Sequence, residues 1–303
     1  MTPKTDPLRV YASIGLLFHS RYRLEAQLGV GGAGSVYRAL DTRLDRLVAI
    51  KIFMADGWEA DWSDRFRGEA VTIARLSHPG VVRIYDFEET DGLFYLALEL
   101  IPGRDLWVLL AERKGILPLP ASVSICRNIL DALDYTHSQG VIHCDLKPEN
   151  VMVTDGQFHI CLTDFGVASN SRAKQTTCEG IIAGSVYYLA PEVIYGQPAD
   201  ERSDLYALGV MLYELSTGRL PFYDESPAEV MLQHRNDPPP RPTSLNTDLP
   251  PALETIIMIL LAKRPDERFQ SAAEARAALN QVGFAYGTAS KQKRLILARE
   301  GRS

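Results

Sequence analysis

Two short polar runs decide how this sequence is interpreted: residues 143–150 read HCDLKPEN, and residues 164–166 read DFG. They contain two aspartates and one asparagine, Asp145, Asp164 and Asn150. A carboxylate can orient a hydroxyl nucleophile, and carboxylate and amide oxygens are ligands that Mg²⁺ prefers. Phosphoryl transfer needs a base near the nucleophile and metal ligands near the phosphates, so the two runs predict a phosphoryl-transfer site.

The composition of the chain predicts a globular protein with a large core. The chain has 303 residues, of which 46% are hydrophobic, enough for one large domain or two lobes. No apolar stretch is long enough to span a bilayer, and the first residues lack the basic and then apolar order of a secretory signal. The net charge of −6 argues against nucleic acid as a main partner.

The cysteines favour a reducing compartment. They are Cys126, Cys144, Cys161 and Cys178, and no two of them form a C-x-x-C pair. Neither a zinc site nor a disulfide framework is therefore expected. A cytoplasmic location fits best.

Hydrophobic patterning predicts a mostly β first third and a mostly helical remainder. The predicted β elements are a strand, glycine-rich turn and strand over 22–37, and strands over 47–52, 81–87 and 94–101. The predicted helices cover 64–76, 121–138, 203–216, 251–263 and 271–282. The helix over 203–216 is apolar on nearly all sides, which indicates a buried central helix.

These patterns divide the chain into four segments. We predict an N-terminal extension over 1–20, a first lobe over 21–101, a second lobe over 102–285 and a basic C-terminal tail over 286–303. The tail could form a basic amphipathic helix at a membrane or an acidic partner, but a frayed, solvated tail is the favoured expectation.

Glycines in the first predicted hairpin suggest close approach of backbone to phosphates. They are Gly29, Gly31 and Gly34, with Val36 just after them. Alone, this G-x-G-x-x-G spacing is a weak indication. A helix follows it in a Rossmann unit, whereas here another strand follows. The glycines therefore fit a hairpin that covers a nucleotide, with an ordinary glycine-rich hairpin as the alternative.

Lys51 ends the strand sequence VAIK, and Ala49 shares its face because side chains two apart on a strand point the same way. Ala49 would contact adenine while the Lys51 ammonium reaches the phosphates. Glu69, on the predicted helix that follows, is the best carboxylate to hold that ammonium. A single glutamate on a helix is more often simply solvated, but the order of lysine strand and then helix favours the pairing here.

Together, these motifs resemble those of the protein kinase superfamily, and most closely those of bacterial, Hanks-type serine/threonine kinases. The similarity covers about residues 20–285 and includes GSVYYLAPE at 184–192. The resemblance implies an α+β, two-lobed protein kinase fold. Its small N-lobe would be mostly β with one helix, and its larger C-lobe would be mostly α.

The resemblance also implies roles for the site residues. Asp145 would orient the substrate hydroxyl or accept its proton, and Lys147 would neutralise charge on the moving phosphoryl group. Asn150 and Asp164 would ligate Mg²⁺, with Mn²⁺ as an alternative. The residues implied for ATP binding are Gly29, Gly31, Gly34, Val36, Ala49, Lys51, Leu98, Glu99, Ile101, Asp105 and Met152.

Further residues have structural roles by the same resemblance. Glu192 would pair with Arg268, and Asp204 would brace the backbone of the catalytic loop. His143 and Phe165 would pack beneath the site.

The resemblance implies transfer of the ATP γ-phosphoryl group to serine or threonine of proteins, and autophosphorylation as well. Its partners would then be ATP and protein substrates, with neither nucleic acid nor a membrane expected and the oligomeric state left open. One alternative is a pseudokinase that binds nucleotide and acts as a signalling scaffold. Another is a small-molecule kinase of the aminoglycoside phosphotransferase type, but that type usually lacks the Ala-Pro-Glu present here.

Cys144 departs from the family pattern, because most members have arginine at this position. That arginine receives the phosphate of a phosphorylated activation loop, and cysteine cannot supply a cation. We therefore expect activity that does not depend on phosphorylation at Thr176 or Thr177. A redox switch at Cys144 is the alternative, although the neighbouring Asp145 carboxylate disfavours the reactive thiolate.

Overall fold

A computed structural model describes residues 14–31, 34–54, 62–90, 93–113, 115, 117–154, 158–165 and 185–282. Only the backbone is described at residues 31, 54, 62–66, 69 and 90. Several residues named above lie outside this described part: Gly166, Thr176, Thr177, Cys178 and the basic tail over 286–303. The chain forms two compact units, Met1–Ser77 with Val82–Pro102, and His78–Val81 with Gly103–Ser303.

The first unit is built on an antiparallel sheet of six strands in the order β1-β2-β3-β4-β6-β5. The strands are β1 Leu17–Phe18, β2 Tyr22–Gly31, β3 Gly34–Asp41, β4 Arg46–Met54, β5 Ile84–Thr90 and β6 Leu93–Glu99. One helix, α1, covers Trp62–Ala74. The predicted N-terminal extension therefore contributes a strand, since β1 pairs with the start of β2.

Alternation along the strands produces the core of this sheet. Leu24, Ile50 and Tyr95 are completely buried, while their neighbours along each strand face the other side. Ion pairs hold the end of the sheet where β2 begins. Arg21 donates to both carboxylate oxygens of Asp41, at 3.0 and 2.8 Å, and to Asp86 at 2.6 Å.

The second unit is mainly helical. Its helices are α2 Leu106–Glu112, α3 Leu119–Ser138, α4 Pro191–Ile194, α5 Glu201–Thr217, α6 Pro227–Asn236, α7 Pro242–Leu245, α8 Pro251–Leu260 and α9 272–282. Short 3₁₀ turns cover Pro148–Asn150, Ser185–Tyr188 and Pro265–Glu267. A three-stranded sheet joins β7 Arg104–Asp105, β8 Val151–Val153 and β9 Ile160–Leu162 in that order.

Helix α5 is the centre of this unit, as its apolar sequence predicts. Every residue from Ser203 to Tyr213 is buried. The helix begins with a capping box: Asp200 accepts a hydrogen bond from the Arg202 amide, and Ser203 Oγ accepts one from the Asp200 amide. It ends at Gly218, which adopts a φ of 73°. Among the described residues, no helix combines the length and apolarity required to cross a membrane.

A short segment before β5 belongs to the second unit, which the sequence did not predict. The His78 ring stacks on Tyr135 of α3 with 5.1 Å between ring centroids. The amide of Leu162 donates to Gly80 O at 2.8 Å, and Val81 forms a bridge with Leu162. These contacts explain why residues 78–81 belong with the helices rather than with the six-stranded sheet.

His234 on α6 should make stability depend on pH. It is fully buried, its Nδ1 lies 2.8 Å from the Tyr206 hydroxyl, and burial, assisted by the nearby Lys263, lowers its pKa to about 3. The unfolded chain therefore binds a proton at this residue between about pH 6.5 and 3, where the folded chain does not. The free energy of unfolding should fall as pH drops through that window.

A matched variant isolates this effect. We expect wild type to lose about 2 kcal/mol more than His234→Gln between about pH 7 and pH 4.5, measured by denaturant unfolding. The other titrating groups, including buried His143, contribute equally to both proteins. Equal losses in both would show that His234 does not set this pH dependence.

Candidate active site

The backbone of the 143–150 run is fixed by one buried carboxylate. Asp204, near the start of α5, accepts hydrogen bonds from the amides of His143 and Cys144 at 2.8 and 2.9 Å. Its Oδ2 also lies 2.8 Å from Nε2 of His137. A buried carboxylate is stable only when its oxygens are bonded in this way. The bracing role predicted for Asp204 is confirmed.

His143 connects the run to the segment after β9. Its Nδ1 accepts from the Asp145 amide at 3.3 Å, so its Nε2 carries the proton and donates to Thr163 O at 3.0 Å. Burial lowers the pKa of this imidazole, which keeps it neutral. Its ring packs against Phe165 with 4.5 Å between centroids, in agreement with the predicted packing role.

Asp145, Lys147, Asn150 and Ser185 form one hydrogen-bonded group. The Lys147 ammonium donates to Asp145 Oδ2 at 2.8 Å and to Ser185 Oγ at 2.7 Å. Asn150 Nδ2 donates to Asp145 O at 2.7 Å and to Asp145 Oδ2 at 3.1 Å. These bonds fix Oδ2 and thereby orient the Asp145 carboxylate. The contact of Lys147 with Ser185, 38 positions away, was not predicted.

Asn150 and Asp164 lie at the same end of the β8–β9 hairpin. Val151 pairs with Leu162, and the Thr163 amide donates to Asn150 O at 2.9 Å. Asp164 adopts a φ of 55°, a left-handed conformation that aspartate tolerates better than most residues. The bonds of Asn150 use its nitrogen, which leaves Oδ1 for a metal. A carboxylate with an amide oxygen suits Mg²⁺, which takes oxygen ligands and keeps several waters.

In the first unit, five of the predicted nucleotide-binding residues share one face of the sheet. Gly29 lies opposite Val36, and Val36 lies opposite Lys51 on β4. Ala49, two residues from Lys51, lies opposite Leu98. Directly opposite residues of antiparallel strands point to the same side. Lys51 is only 9% exposed, so its stem packs within the sheet.

Gly34 is the glycine that the backbone requires in this hairpin. It adopts a φ of 139°, and a Cβ at this position would lie 2.0 Å from Ile52 O on the neighbouring strand. Gly31 pairs with Gly34 across the turn. At Gly29 a Cβ would meet nothing within 4 Å. The sequence spacing singled out three glycines but could not show which of them the backbone conformation requires.

Gly34→Ala should therefore destabilise the first unit, by about 2 kcal/mol or more, because the new methyl group forces β3 away from β4. Gly29→Ala is the matched control and should change the free energy of unfolding by less than about 1 kcal/mol. Denaturant unfolding of both variants measures this difference. Equal losses of unfolding free energy in the two variants would mean that the hairpin does not require glycine at position 34.

The remaining first-unit candidates differ in how far the structure describes them. Glu69 lies within α1, but its side chain is outside the described part, so its pairing with Lys51 stays a prediction. The amide of Glu99 donates to Arg83 O at 2.9 Å, at the end of β6. Ile101 is half-buried.

Asp105 and Met152 are brought together as partners on β7 and β8. Asp105 also caps α2, since one of its carboxylate oxygens accepts from the Val108 amide at 2.7 Å. The sequence analysis missed this capping role, although an aspartate directly before LWVLL could have indicated it. The second carboxylate oxygen is not used by the cap and could contact a ribose.

The predicted pairing of Glu192 with Arg268 is confirmed. Nη1 and Nη2 of Arg268 each donate to the Glu192 carboxylate at 2.8 Å, and Ser203 Oγ donates to it at 2.7 Å. Both side chains are buried, and Arg268 also donates to Ala262 O, Lys263 O and Arg202 O. The pair therefore ties the start of α4 to the loops around the 3₁₀ turn Pro265–Glu267 and fixes geometry more than it adds stability.

Comparison with known proteins agrees with this geometry. The model of the protein kinase domain family matches residues 22–281. The chain belongs to the protein kinase domain family. One mostly β unit with a single described helix and one mostly helical unit confirm the predicted kinase fold.

Curated proteins similar to this chain include bacterial serine/threonine-protein kinases. Serine/threonine-protein kinase PknE of Mycobacterium bovis is 40% identical over 258 residues, which cover 85% of this chain and 45% of that protein. PksC of Streptomyces coelicolor is 38% identical, covering 89% and 50%, and PrkC of Bacillus subtilis is 36% identical, covering 87% and 41%. The chain thus spans about half or less of the length of these relatives.

Proposed function

We propose that this chain is a serine/threonine protein kinase that transfers the γ-phosphoryl group of ATP to hydroxyls of protein substrates. The observation that carries the proposal is the bonded group of Asp145, Lys147, Asn150 and Ser185. It provides an oriented carboxylate beside an ammonium, as transfer to a neutral hydroxyl requires. The bacterial relatives are named as serine/threonine-protein kinases, which is the same activity.

Each group has one proposed task. The acceptor oxygen bonds to the γ-phosphorus while the bond to the β–γ bridging oxygen breaks, and ADP leaves. Asp145 orients the hydroxyl and takes its proton, and Lys147 offsets charge on the transferred group. Asn150 and Asp164 would hold Mg²⁺, or Mn²⁺, and the metal would neutralise phosphate charge.

We assign one set of residues to the phosphates of ATP and another to its adenine. Lys51, held by Glu69, contacts the phosphates, and the glycine hairpin covers them. Leu98 is the gatekeeper, and the backbones of Glu99 and Ile101 bond adenine. The other residues assigned to ATP are Gly29, Gly31, Gly34, Val36, Ala49, Asp105 and Met152.

The competing functions predict different products. A pseudokinase would bind ATP without turnover, and nothing in the described catalytic group is missing for turnover. A small-molecule kinase would phosphorylate aminoglycosides, but the Glu192–Arg268 anchor of the Ala-Pro-Glu segment favours a protein substrate. Measuring ADP release with a generic acceptor protein, with kanamycin and with ATP alone distinguishes the three. Release that the acceptor protein raises above the rate with ATP alone supports the proposal, whereas release that only kanamycin raises, or no release at all, contradicts it.

The partners follow from this reaction. Protein acceptors, including other copies of the kinase in autophosphorylation, are the proposed substrates, and nucleic acid is not. Because ATP is supplied in the cytoplasm, a cytoplasmic location for this domain fits the function.

Cys144 predicts activity without loop phosphorylation. It is half-buried, with a φ of 64°, and its amide donates to Asp204. It supplies no cation for a phosphate at Thr176 or Thr177. We expect the Thr176→Ala/Thr177→Ala protein to keep more than about half of the wild-type rate on an external substrate, because a phosphate at these residues gains little without a cationic partner.

Cys144→Arg is the comparison variant. Its rate of phosphoryl transfer should rise when the loop is phosphorylated. Initial rates are measured before and after phosphatase treatment, each with and without reductant. Loss of transfer in the dephosphorylated wild type would contradict the prediction. A rate that responds only to reductant would favour the redox alternative.

A further inference from the structure

An exposed pair of stacked tyrosines lies on the second unit. The rings of Tyr187 and Tyr223 are nearly parallel, at 11°, with 5.8 Å between their centroids. Tyr223 is 66% exposed. Tyr187 packs on the buried cluster of Val186, Val230 and Met231, and its hydroxyl donates to Asp224 O at 3.4 Å. The pair is therefore held in place while one aromatic face stays open to solvent.

This tyrosine pair lies close in the chain to the proposed phosphoryl-transfer group. Ser185 is two residues before Tyr187, and Ser185 Oγ accepts from the ammonium that also contacts Asp145. Two residues span at most about 7 Å. A segment that extends a few residues from a bound acceptor hydroxyl can therefore reach the tyrosines.

The segment that carries Tyr223 is acidic. Residues 223–229 read YDESPAE, with three acidic side chains and no basic one. Asp224 is half-buried, whereas Glu225 and Glu229 are exposed. Such a surface attracts cations and repels acidic segments.

The same unit contains a cation–π contact at another exposed tyrosine, Tyr195. The Arg235 guanidinium lies 4.1 Å from the centroid of the Tyr195 ring, so the protein itself fills that cation–π position. Within the described part of the chain, no cation lies over Tyr223. A guanidinium or ammonium from outside could therefore stack on Tyr223 beside Glu225.

We propose that the Tyr187–Tyr223 pair, with Glu225 and Glu229, binds an arginine or lysine side chain of the protein substrate at a position away from the phosphorylated residue. The proposal rests on the proposed kinase function and adds a substrate preference to it. The occupant is a basic segment of the acceptor protein, because both the open aromatic face and the acidic side chains select a cation.

The test uses acceptor peptides with one central threonine in a glycine–alanine–glutamine background. A single arginine is moved from about ten residues before the threonine to about ten after, and an arginine-free peptide is the reference. For wild type, one or a few arginine positions should raise kcat/KM about fivefold. Tyr223→Ala should abolish that gain and leave the reference peptide unchanged. Tyr223→Phe should keep the gain, and Glu225→Gln should reduce it.

A second measurement separates this site from the proposed activity. Binding of the best arginine peptide to Asp145→Asn protein, by fluorescence anisotropy, should weaken about fivefold when Tyr223→Ala is added. Transfer without any arginine preference would overturn the proposed arginine site but not the kinase function. An equal loss of kcat/KM on all peptides in Tyr223→Ala would do the same. Absence of transfer to every peptide, together with binding that depends on Tyr223, would overturn the kinase function and support the site.

Discussion

Asp145→Asn is expected to slow phosphoryl transfer by a factor of about 10² to 10⁴, the usual contribution of a positioned proton acceptor. Asparagine keeps the shape of aspartate, and its oxygen can still accept from Lys147. It cannot take the proton of the acceptor hydroxyl. ATP affinity should change little, because Asp145 is assigned to the acceptor rather than to the nucleotide.

The measurement compares kcat and ATP affinity of the variant with those of wild type. Asp248→Asn is the matched control, since Asp248 is an exposed loop residue of the same unit. It should retain the full rate. Asp145→Asn protein that autophosphorylates as fast as wild type would remove Asp145 from the mechanism.

Lys51→Met should lower kcat/KM for ATP by about 100-fold or more, because it removes a positive charge from the phosphates in a site of low dielectric. The fold should survive, since methionine replaces the buried stem of a side chain that is 9% exposed. Lys51→Arg should not restore activity. A planar guanidinium is larger than an ammonium and differently hydrated, so it cannot occupy the same buried position.

The control for Lys51 is Arg23→Met, which removes a positive charge from an exposed position on β2. Its kinetics should match wild type. Circular dichroism and denaturant unfolding confirm that each variant is folded. Full activity in Lys51→Arg would contradict the assigned contact with the phosphates.

The predictable parts of the fold were those with long, regular patterns. The all-round apolarity of α5 indicated burial, although the helix begins at Glu201, two residues before the predicted start. Five of the six strands of the first unit were predicted, although β5 begins at Ile84 rather than at residue 81 and β1 was missed. The sheet of β7, β8 and β9 was missed because strands of two or three residues are too short to show a period.

The order of the site residues could be seen in the sequence, but their contacts join residues that are far apart in the chain. The motif resemblance predicted that Asp204 braces the loop and that Glu192 meets Arg268, 76 positions away. No local pattern linked Lys147 to Ser185, or assigned the Asp105 carboxylate to the cap of α2. The Tyr187–Tyr223 stack likewise joins two segments whose sequences carry no shared signature.

The most direct test of the account is transfer of labelled γ-phosphate from ATP to a protein. Wild type and Asp145→Asn are each incubated with labelled ATP, Mg²⁺ and a generic acceptor protein, and the labelled amino acids are then identified. We predict phosphoserine and phosphothreonine with wild type, and at least about 100-fold less label with the variant. Absence of label with wild type, label mainly on tyrosine, or equal label with both proteins would contradict the assignment of this chain as a serine/threonine kinase that acts through Asp145.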